Sequence, residues 1–358
     1  MILFALASIT PLALVLGAAT WGGALAWLAV GYMTVLVFGM DRLIAREAVN
    51  APEGAEFPAA GVLLWVLGVG HFGVLGAALW AVAGPGTLDG GERFLVALAA
   101  GLVFGQISHP AAHELIHRPG RGARLLGRLV YASLLVGHHA SAHLRVHHVH
   151  VGTARDPNSP PRGRGFYRYA LNAGVGSFRA GFREESAMLA RAGRAWWRHP
   201  YVLYLGVGLG LTVAVALWLG WRGVAVFVGL SAYAQMQILL SDYVQHYGLR
   251  RRIRGDGRPE PVDLRHSWNA PHWYSSALMV NAPRHSDHHV TPGRPFPALQ
   301  LRADMPMLPL PVPVMASIAL IPPLWRRVMD PRVVEWETAE NRAHRDGDGG
   351  QAAADMAG

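Results

Sequence analysis

The sequence predicts an all-α, polytopic membrane protein with about six transmembrane helices. Three observations predict this class: 52% of the 358 residues are hydrophobic, only 15% are charged, and apolar stretches of near-spanning length recur. A soluble domain usually carries about 25% charged residues, and a helix of about 20 apolar residues crosses the hydrocarbon core. Continuous apolar runs indicate helices, because a helix satisfies its own backbone in lipid.

The predicted spans lie in two parts of the chain, four in residues 1–112 and two in residues 201–240. They cover residues 1–20, 21–40, 61–83, 94–112, 201–220 and 223–240. No basic residue precedes Arg42, so the first stretch lacks the positive region of a cleaved signal peptide and is expected to remain as a helix. Residues 305–323 are apolar but contain six prolines, which favours a docked or re-entrant segment over a further span.

The uneven distribution of arginine between the two sides of the membrane predicts the orientation of the chain. All 32 basic residues are arginine, and only Arg93 and Arg222 lie on the side of the short loops. The positive-inside rule then places both termini and the long segments 113–200 and 241–304 in the cytoplasm, which implies a bacterial-type inner membrane. We expect one membrane domain over residues 1–330 and a polar, disordered tail over residues 331–358.

Charge and cysteine content exclude several classes of protein. The net charge of +9 is expected to meet anionic membrane lipid rather than nucleic acid, because arginines commonly flank membrane helices. The chain has no cysteine, which excludes disulfides, thiolate metal sites and cysteine-ligated iron–sulfur clusters. Any metal must therefore be held by His, Asp or Glu, and any iron–sulfur electron donor must be a separate protein.

Half of the 18 histidines fall in four groups that follow predicted spans or lie in the long polar segments. These groups contain His113 and His117; His143, His147 and His148; His246; and His285, His288 and His289. Residues three or four apart share one face of a helix, so spacings within the groups let two imidazoles converge on one metal. Four such groups on neighbouring helices can surround two metals on the cytoplasmic side. So many neutral nitrogen ligands favour redox-active first-row metals, with iron the first choice.

Other interpretations of the histidines remain open. The sequence from His113 to His117 also matches the HExxH pattern of zinc proteases, with Glu114 as general base, but one zinc would leave the other groups unexplained. A non-catalytic metal or haem carrier would need neither oxygen nor an apolar substrate. His138, His139 and His150 are candidates for orienting the ligands rather than binding metal.

At these motifs the chain resembles the alkane 1-monooxygenase family of the membrane di-iron fatty-acid desaturase and hydroxylase superfamily. The resemblance runs from about residue 94 to residue 301. It is carried by His113-Glu-Leu-Ile-His117, by His143-x3-His147-His148, by His246-Tyr-Gly248 and by Arg284-His-Ser-Asp-His-His289. His-Tyr-Gly and Arg-His-Ser-Asp-His-His are the motifs more specific to alkane hydroxylases.

The resemblance implies a function and a set of ligands. All nine histidines of the four groups match the family's iron ligands. The implied reaction is an O2-dependent hydroxylation of a C–H bond, expected to be terminal, of an alkane or similar apolar substrate. Electrons would come ultimately from NADH, through a rubredoxin reductase and a rubredoxin-type donor. A candidate docking face for that donor is the arginine-rich segment with Arg250, Arg251, Arg252, Arg254 and Arg258.

Three neighbours of the ligands depart from the family pattern. Ala142 and Gln245 stand where the family usually has Glu, and Val146 stands where it usually has Gly. These departures leave the substrate open, so a fatty-acyl or aryl-methyl hydroxylase or a desaturase of the same superfamily remains an alternative. Glu114 and Asp287 lie between ligands, and we expect their carboxylates to accept hydrogen bonds from imidazole N–H groups.

Overall fold

The computed structural model describes the backbone of residues 1–44 and 46–357, and the side chains of residues 1–44 and 46–342. The described chain is built of helices that often contain short π-helical turns. They are α1 (Ile2–Trp21), α2 (Gly23–Leu43), α3 (Pro58–Ala83), α4 (Gly90–His117), α5 (Arg121–Ser133), α6 (138–150), α7 (Phe166–Arg191), α8 (Pro200–His246), α9 (Trp273–Leu278), α10 (His285–Val290), α11 (Val312–Ala319) and α12 (Pro322–Ala357). The all-α prediction is confirmed.

Five of the described helices are long and apolar enough to cross a membrane. They are α1, α2, α3, α4 and α8. Helix α8 has 47 residues and contains both of the last predicted spans. At 1.5 Å per residue it would extend about 70 Å, twice the hydrocarbon core, but the backbone breaks at Gly220 with φ 65° and ψ −162°. This break separates two segments that are each of spanning length, so the count of six remains a prediction.

Glycine and a capping box join the first membrane helices to α4. Gly22 separates α1 from α2 at φ 60°, and an added Cβ would lie 2.6 Å from Oε1 of Glu92. That oxygen accepts a hydrogen bond of 2.7 Å from the backbone N–H of Gly23. Glu92 also completes a capping box with Asp89 at the start of α4. The turn between α1 and α2 is therefore held against the helix that carries the first histidine pair.

Two apolar cores surround the histidine-bearing helix ends. One core packs α1 to α5 with part of α8, and the other packs α7, the end of α8, α11 and α12. Helix α11, within the stretch predicted to dock or re-enter, has eight residues and is too short to span the hydrocarbon core.

The structure of the C-terminal tail, residues 331–358, differs from the disorder that its composition predicts. Pro331 lies inside α12, and Val333 is buried against Gly248, where an added Cβ would lie 2.6 Å from a Val333 methyl. The polar composition of residues 331–358 concealed this apolar anchor, so the expectation of disorder is wrong at its start. The side chains of residues 343–358 lie outside the described residues, and the domain boundary at residue 330 remains a prediction.

Candidate metal centre

The nine histidines singled out by the sequence come together in two groups. Within each group the candidate ligand nitrogens all lie within 4.8 Å of one another. The five-histidine group is His113, His117, His143, His148 and His288, and the four-histidine group is His147, His246, His285 and His289. Histidines that lie as much as 175 residues apart in sequence, His113 and His288, are thus neighbours in space.

Distances between ring nitrogens describe the five-histidine group. Nε2 of His143 lies 2.8 Å from Nε2 of His113 and 2.9 Å from Nε2 of His148. Nε2 of His288 lies 3.2 Å from Nε2 of His148. The rings therefore direct the same type of nitrogen toward a common point.

The four-histidine group has the same character. Nε2 of His285 lies 3.0 Å from Nε2 of His246 and 3.1 Å from Nε2 of His289. The ring of His147 joins these from α6, with centroid distances of 4.6 Å to His246 and 4.9 Å to His289. Each group therefore draws on more than one helix.

A π-helical turn over His143–His147 decides which neighbours share a group. The sequence predicts that His143 and His147, four residues apart, converge. The structure instead pairs His143 with His148 and sends His147 to the other group. A π-turn brings residues i and i+5 together and is frequent at functional sites. Another π-turn, Phe104–Ser108, precedes the first histidine pair in α4.

The last histidine motif, which runs from His285 to His289, is also divided between the two groups. His285 and His289, four residues apart on α10, share the four-histidine group, whereas His288 joins the five-histidine group. Adjacent residues on an α-helix point about 100° apart, so His288 and His289 face different centres. This division places α10 between the two groups.

The expected roles of Glu114 and Asp287 are wrong. Glu114 forms an ion pair with Arg118, and Asp287 accepts 2.5 Å contacts from Nη1 of Arg294 and a 2.9 Å hydrogen bond from the Gln300 backbone. Each carboxylate is adjacent in sequence to a group histidine, and the 100° step along a helix turns it away from the ring. Both carboxylates instead fix the surroundings of the site.

Asp156 has the role that was expected of those two carboxylates. Its Oδ2 lies 2.8 Å from Nδ1 of His147 and accepts a 2.6 Å hydrogen bond from Ser159. Asn158 donates from its own backbone to Asp156 Oδ1, and from its side chain to Asp242 at 2.5 Å. From its position nine residues after His147, Asp156 was a weaker candidate for this role than Glu114 and Asp287.

Burial keeps most of these rings neutral. It lowers the pKa of His143, His148 and His288 well below the usual value, and neighbouring histidines lower it further. Burial also opposes protonation of His147, but the Asp156 carboxylate raises the pKa of that ring. Neutral imidazole is the form that binds metal.

Buried nitrogens without partners test whether a metal fits. Nε2 of His117 and Nε2 of His147 have no hydrogen-bond partner among the described residues. Buried polar atoms normally have one. Because His117 and His147 belong to different groups, one ion in each group would satisfy both nitrogens. A donor set made only of imidazoles suits a first-row transition metal such as iron.

Three further histidines lie outside both groups. His139 is buried between His109, Tyr131 and His143, with its ring stacked 5.4 Å from that of His143. His138 packs on Phe178, and His150 is partly exposed. None of these three rings forms a hydrogen bond to a group histidine among the described residues.

Arg284 ties the last box to the N-terminal part of the chain. Its side chain is 1% exposed and donates to Asn50 Oδ1 at 2.8 Å, to the Ala48 carbonyl at 2.7 Å and to the Val49 carbonyl at 3.0 Å. It also donates to the carbonyl of Leu299. The residue before His285 is thereby held by the segment that follows α2.

Comparison with known proteins supports one family. The fatty acid desaturase family matches residues 93–316. Alkane 1-monooxygenase 1 of Pseudomonas aeruginosa is 32% identical over 86% of this chain and 84% of its own length. Alkane 1-monooxygenase 2 of Alcanivorax borkumensis is 30% identical over 90% and 86% of the two chains.

A more distant relative is named for aromatic substrates. The hydroxylase component of xylene/toluene monooxygenase from Pseudomonas putida is 29% identical over 64% of this chain and 61% of its own length. All these relatives are oxidoreductases, and a zinc protease is not among them. The chain, with its membrane helices and its two imidazole groups suited to non-haem iron, therefore belongs to the alkane 1-monooxygenase family of the fatty acid desaturase superfamily and is a membrane oxidoreductase.

Proposed function

We propose that this protein is an O2-dependent monooxygenase that hydroxylates the terminal C–H bond of an alkane or a similar apolar substrate. The observation that carries the proposal is the pair of imidazole groups, one of five and one of four rings, in a chain of this family. Each group would hold one iron ion. When bound, the irons would supply the oxygen activation that acid–base chemistry cannot provide for an unactivated C–H bond.

The side chains of this protein would bind and shield that centre. Seven of the nine rings are less than 9% exposed, so bulk water has little access to them. Asp156 would hold His147 with Nδ1 protonated and Nε2 free to bind metal. The ion pair of Glu114 with Arg118 lies outside the rings and leaves the donor sets purely imidazole.

An apolar pocket beside the centre suits the body of the substrate. Its volume is about 150 Å³, and it lies between α4, α8 and α11. Its walls include Leu102, Met236, Met279 and Val312. Gln106, on the same wall, precedes His113 by two helical turns, or about 10 Å. A chain entering here from lipid would point its end toward the five-histidine group.

The electron donor would approach from the polar face. Arg250 and Arg251 already donate to backbone carbonyls of Ser159, Val149 and Glu260. Arg254 and Arg258 are exposed and remain the better candidates to meet an acidic rubredoxin-type protein. The orientation we propose puts this face, both termini and the metal centre on the cytoplasmic side of an inner membrane, with NADH as the ultimate reductant through a separate reductase.

One assay tests the reaction. Membranes containing the protein, supplied with a rubredoxin, its reductase, NADH and a medium-chain alkane under 18O2, should yield 1-alkanol carrying one labelled oxygen. Iron content should follow activity across histidine variants. Unlabelled alcohol, or a preparation active without iron, would contradict the proposal.

An aryl-methyl hydroxylase is the second candidate. It is favoured by the xylene/toluene monooxygenase component among the relatives. Offering xylene beside the alkane in the same assay separates the two, because the preferred substrate shows the higher kcat/KM. A desaturase would instead form an alkene without incorporating the label.

A further inference from the structure

Helix α7 presents three distinct faces. One face packs against the protein through residues spaced three and four apart. Its buried residues are Phe166, Tyr169, Ala173, Ser177, Gly181 and Glu185. This spacing places them along one side of the helix. Much of the remaining surface is exposed, although Tyr167, Phe178 and Phe182 also contact Leu320, His138 and His199.

The second face of α7 is apolar and exposed. It consists of Tyr167, Leu171, Val175, Phe178 and Phe182, whose spacings of four, four, three and four place them in one stripe. Leu171 is 74% exposed and Tyr167 is 56% exposed. A contiguous apolar patch of this kind marks a site of interaction with another protein or with a membrane.

The third face carries positive charge. Arg168, Arg179 and Arg183 are exposed, and a helical projection at 100° per residue places them together beside the apolar stripe, on the side away from the buried face. Arg191, Arg194 and Arg198 follow at the end of the helix and are also exposed. Across residues 166–199 these six arginines outnumber the two acidic residues, Glu184 and Glu185.

The apolar stripe is continuous with a membrane helix. After α7 the exposed Trp196 and Trp197 lead directly to Pro200, where α8 begins. The Tyr201 hydroxyl in the first turn of α8 donates to the Phe178 carbonyl at 2.8 Å. Tryptophans at the end of a span are typical of the membrane–water interface. The turn of α7 around Phe178, at the middle of the helix, therefore lies at the level where a span enters the bilayer.

We propose that α7, with Trp196 and Trp197, is an interfacial helix that binds a bilayer surface rich in anionic phospholipid. Its apolar stripe enters the boundary between headgroups and acyl chains, and its arginines bind the phosphates. Helix α7 does not meet the criteria for a span that the five membrane helices meet. An acidic protein partner that binds the arginines fits less well, because it would leave the five exposed apolar side chains of the stripe in water.

The buried face of α7 connects this surface to the metal centre. A Cβ added to Gly181 would lie 3.1 Å from the backbone N of Ala142, so α7 closely approaches the helix of the second histidine box. Glu185 lies 3.9 Å from Arg145 within that box. Lipid bound by α7 therefore braces the helix that carries His143, His147 and His148.

Hydrogen exchange in nanodiscs tests the proposal without requiring turnover. The full-length, iron-loaded protein is placed in phosphatidylcholine alone or in an equimolar mixture with phosphatidylglycerol, and exchange is followed in peptides covering residues 166–199. We expect slower exchange in the anionic discs. Arg179→Gln with Arg183→Gln should reduce that protection by about fivefold per arginine lost.

Two comparison variants complete the test. Arg222→Gln removes another exposed arginine, which lies beside Trp221 just after the break of α8 at Gly220. This change should leave the lipid effect on residues 166–199 unchanged. Leu171→Glu puts a charge into the apolar stripe and should speed exchange in both kinds of disc. Equal exchange in the two lipids, or a double variant identical to the parent, would overturn the proposal. So would a double variant that keeps its lipid response but binds an acidic donor protein less tightly.

Discussion

Nδ1 of His147 lies 2.8 Å from Oδ2 of Asp156, and both side chains are almost completely buried. His147 is the one member of the four-histidine group that comes from α6. Asp156 therefore fixes the ring that joins the second histidine box to the other elements of that group.

Asp156→Asn should weaken metal binding by the four-histidine group. The amide lacks the charge that holds His147 with Nδ1 protonated, and loss of such an outer partner typically costs about 10–100-fold in affinity. The measurement is an iron titration followed by elemental analysis. Asp304→Asn, at an exposed carboxylate paired with Arg302, is the control and should bind iron like the parent. Equal affinities in all three proteins would contradict the role of Asp156.

His285→Ala should lower the bound iron by one ion per chain. His285 belongs only to the four-histidine group, so the five-histidine group retains its complete set of rings. Turnover should be lost, because the reaction needs both ions. His150→Ala removes a histidine outside both groups and should keep full iron content. A His285→Ala protein that retains all its iron would refute the assignment of this ring as a ligand.

Gln245→Glu should destabilise the protein, although glutamate is the residue usual in the family. Gln245 accepts a 2.9 Å hydrogen bond from Ser241 and donates a 3.0 Å hydrogen bond to the Ala282 carbonyl. A carboxylate cannot donate, so the change removes the side-chain partner of the partly buried Ala282 carbonyl, at a cost of about 1–3 kcal/mol. The measurement is denaturant unfolding in detergent micelles.

Gln237→Glu is the comparison for that change. It removes a similar hydrogen bond, from Gln237 to the Gly101 carbonyl, at a distance from the histidines. Both variants should unfold more easily, whereas only Gln245→Glu, next to His246, should also lower iron affinity. An unchanged unfolding midpoint for Gln245→Glu would show that the Ala282 contact contributes nothing.

Gly101→Ala should destabilise the packing of α4 on α8. An added Cβ would lie 2.2 Å from the ring of Tyr233, so that ring or one of the helices must move. Overpacking of this kind costs about 1–3 kcal/mol. Gly206→Ala on α8 meets open space and, because alanine is the better helix former, should be neutral or stabilising. Thermal unfolding of the two variants should therefore shift in opposite directions or differ clearly in size.

The sequence predicted which nine histidines come together, but it did not predict how they divide between the two groups. Spacings of three and four residues were enough to select all nine rings that the structure brings together. They could not reveal the π-turn that pairs His143 with His148, because a π-turn depends on tertiary packing and leaves no periodic signature. The rotation of about 100° per residue, by contrast, is a property of every α-helix, and it already argues from sequence against Glu114 as a partner of His113.

The spacing of residues along the sequence does not predict contacts made outside a single helix. Asp156 meets His147 through the turn that follows α6, and a separation of nine residues across a turn does not predict which carboxylate reaches the ring. The buried Val333 showed no pattern within a polar tail. Membrane helices, by contrast, follow directly from apolar length, and only the break at Gly220 makes the boundary between two of them hard to see.

The hydrogen bonds of Arg284 have a consequence for how the chain can be divided. Helices α1 and α2 contribute no histidine to either group, yet Ala48, Val49 and Asn50, just beyond them, accept most of the hydrogen bonds from the guanidinium next to His285. A shortened chain that starts at α3 would contain all nine rings but would bury a cation stripped of these acceptors. The segment that carries these acceptors, between the amino-terminal helical hairpin and α3, is therefore a structural requirement of the unit that holds the histidines, and chimaeras with relatives should exchange it together with the last histidine motif.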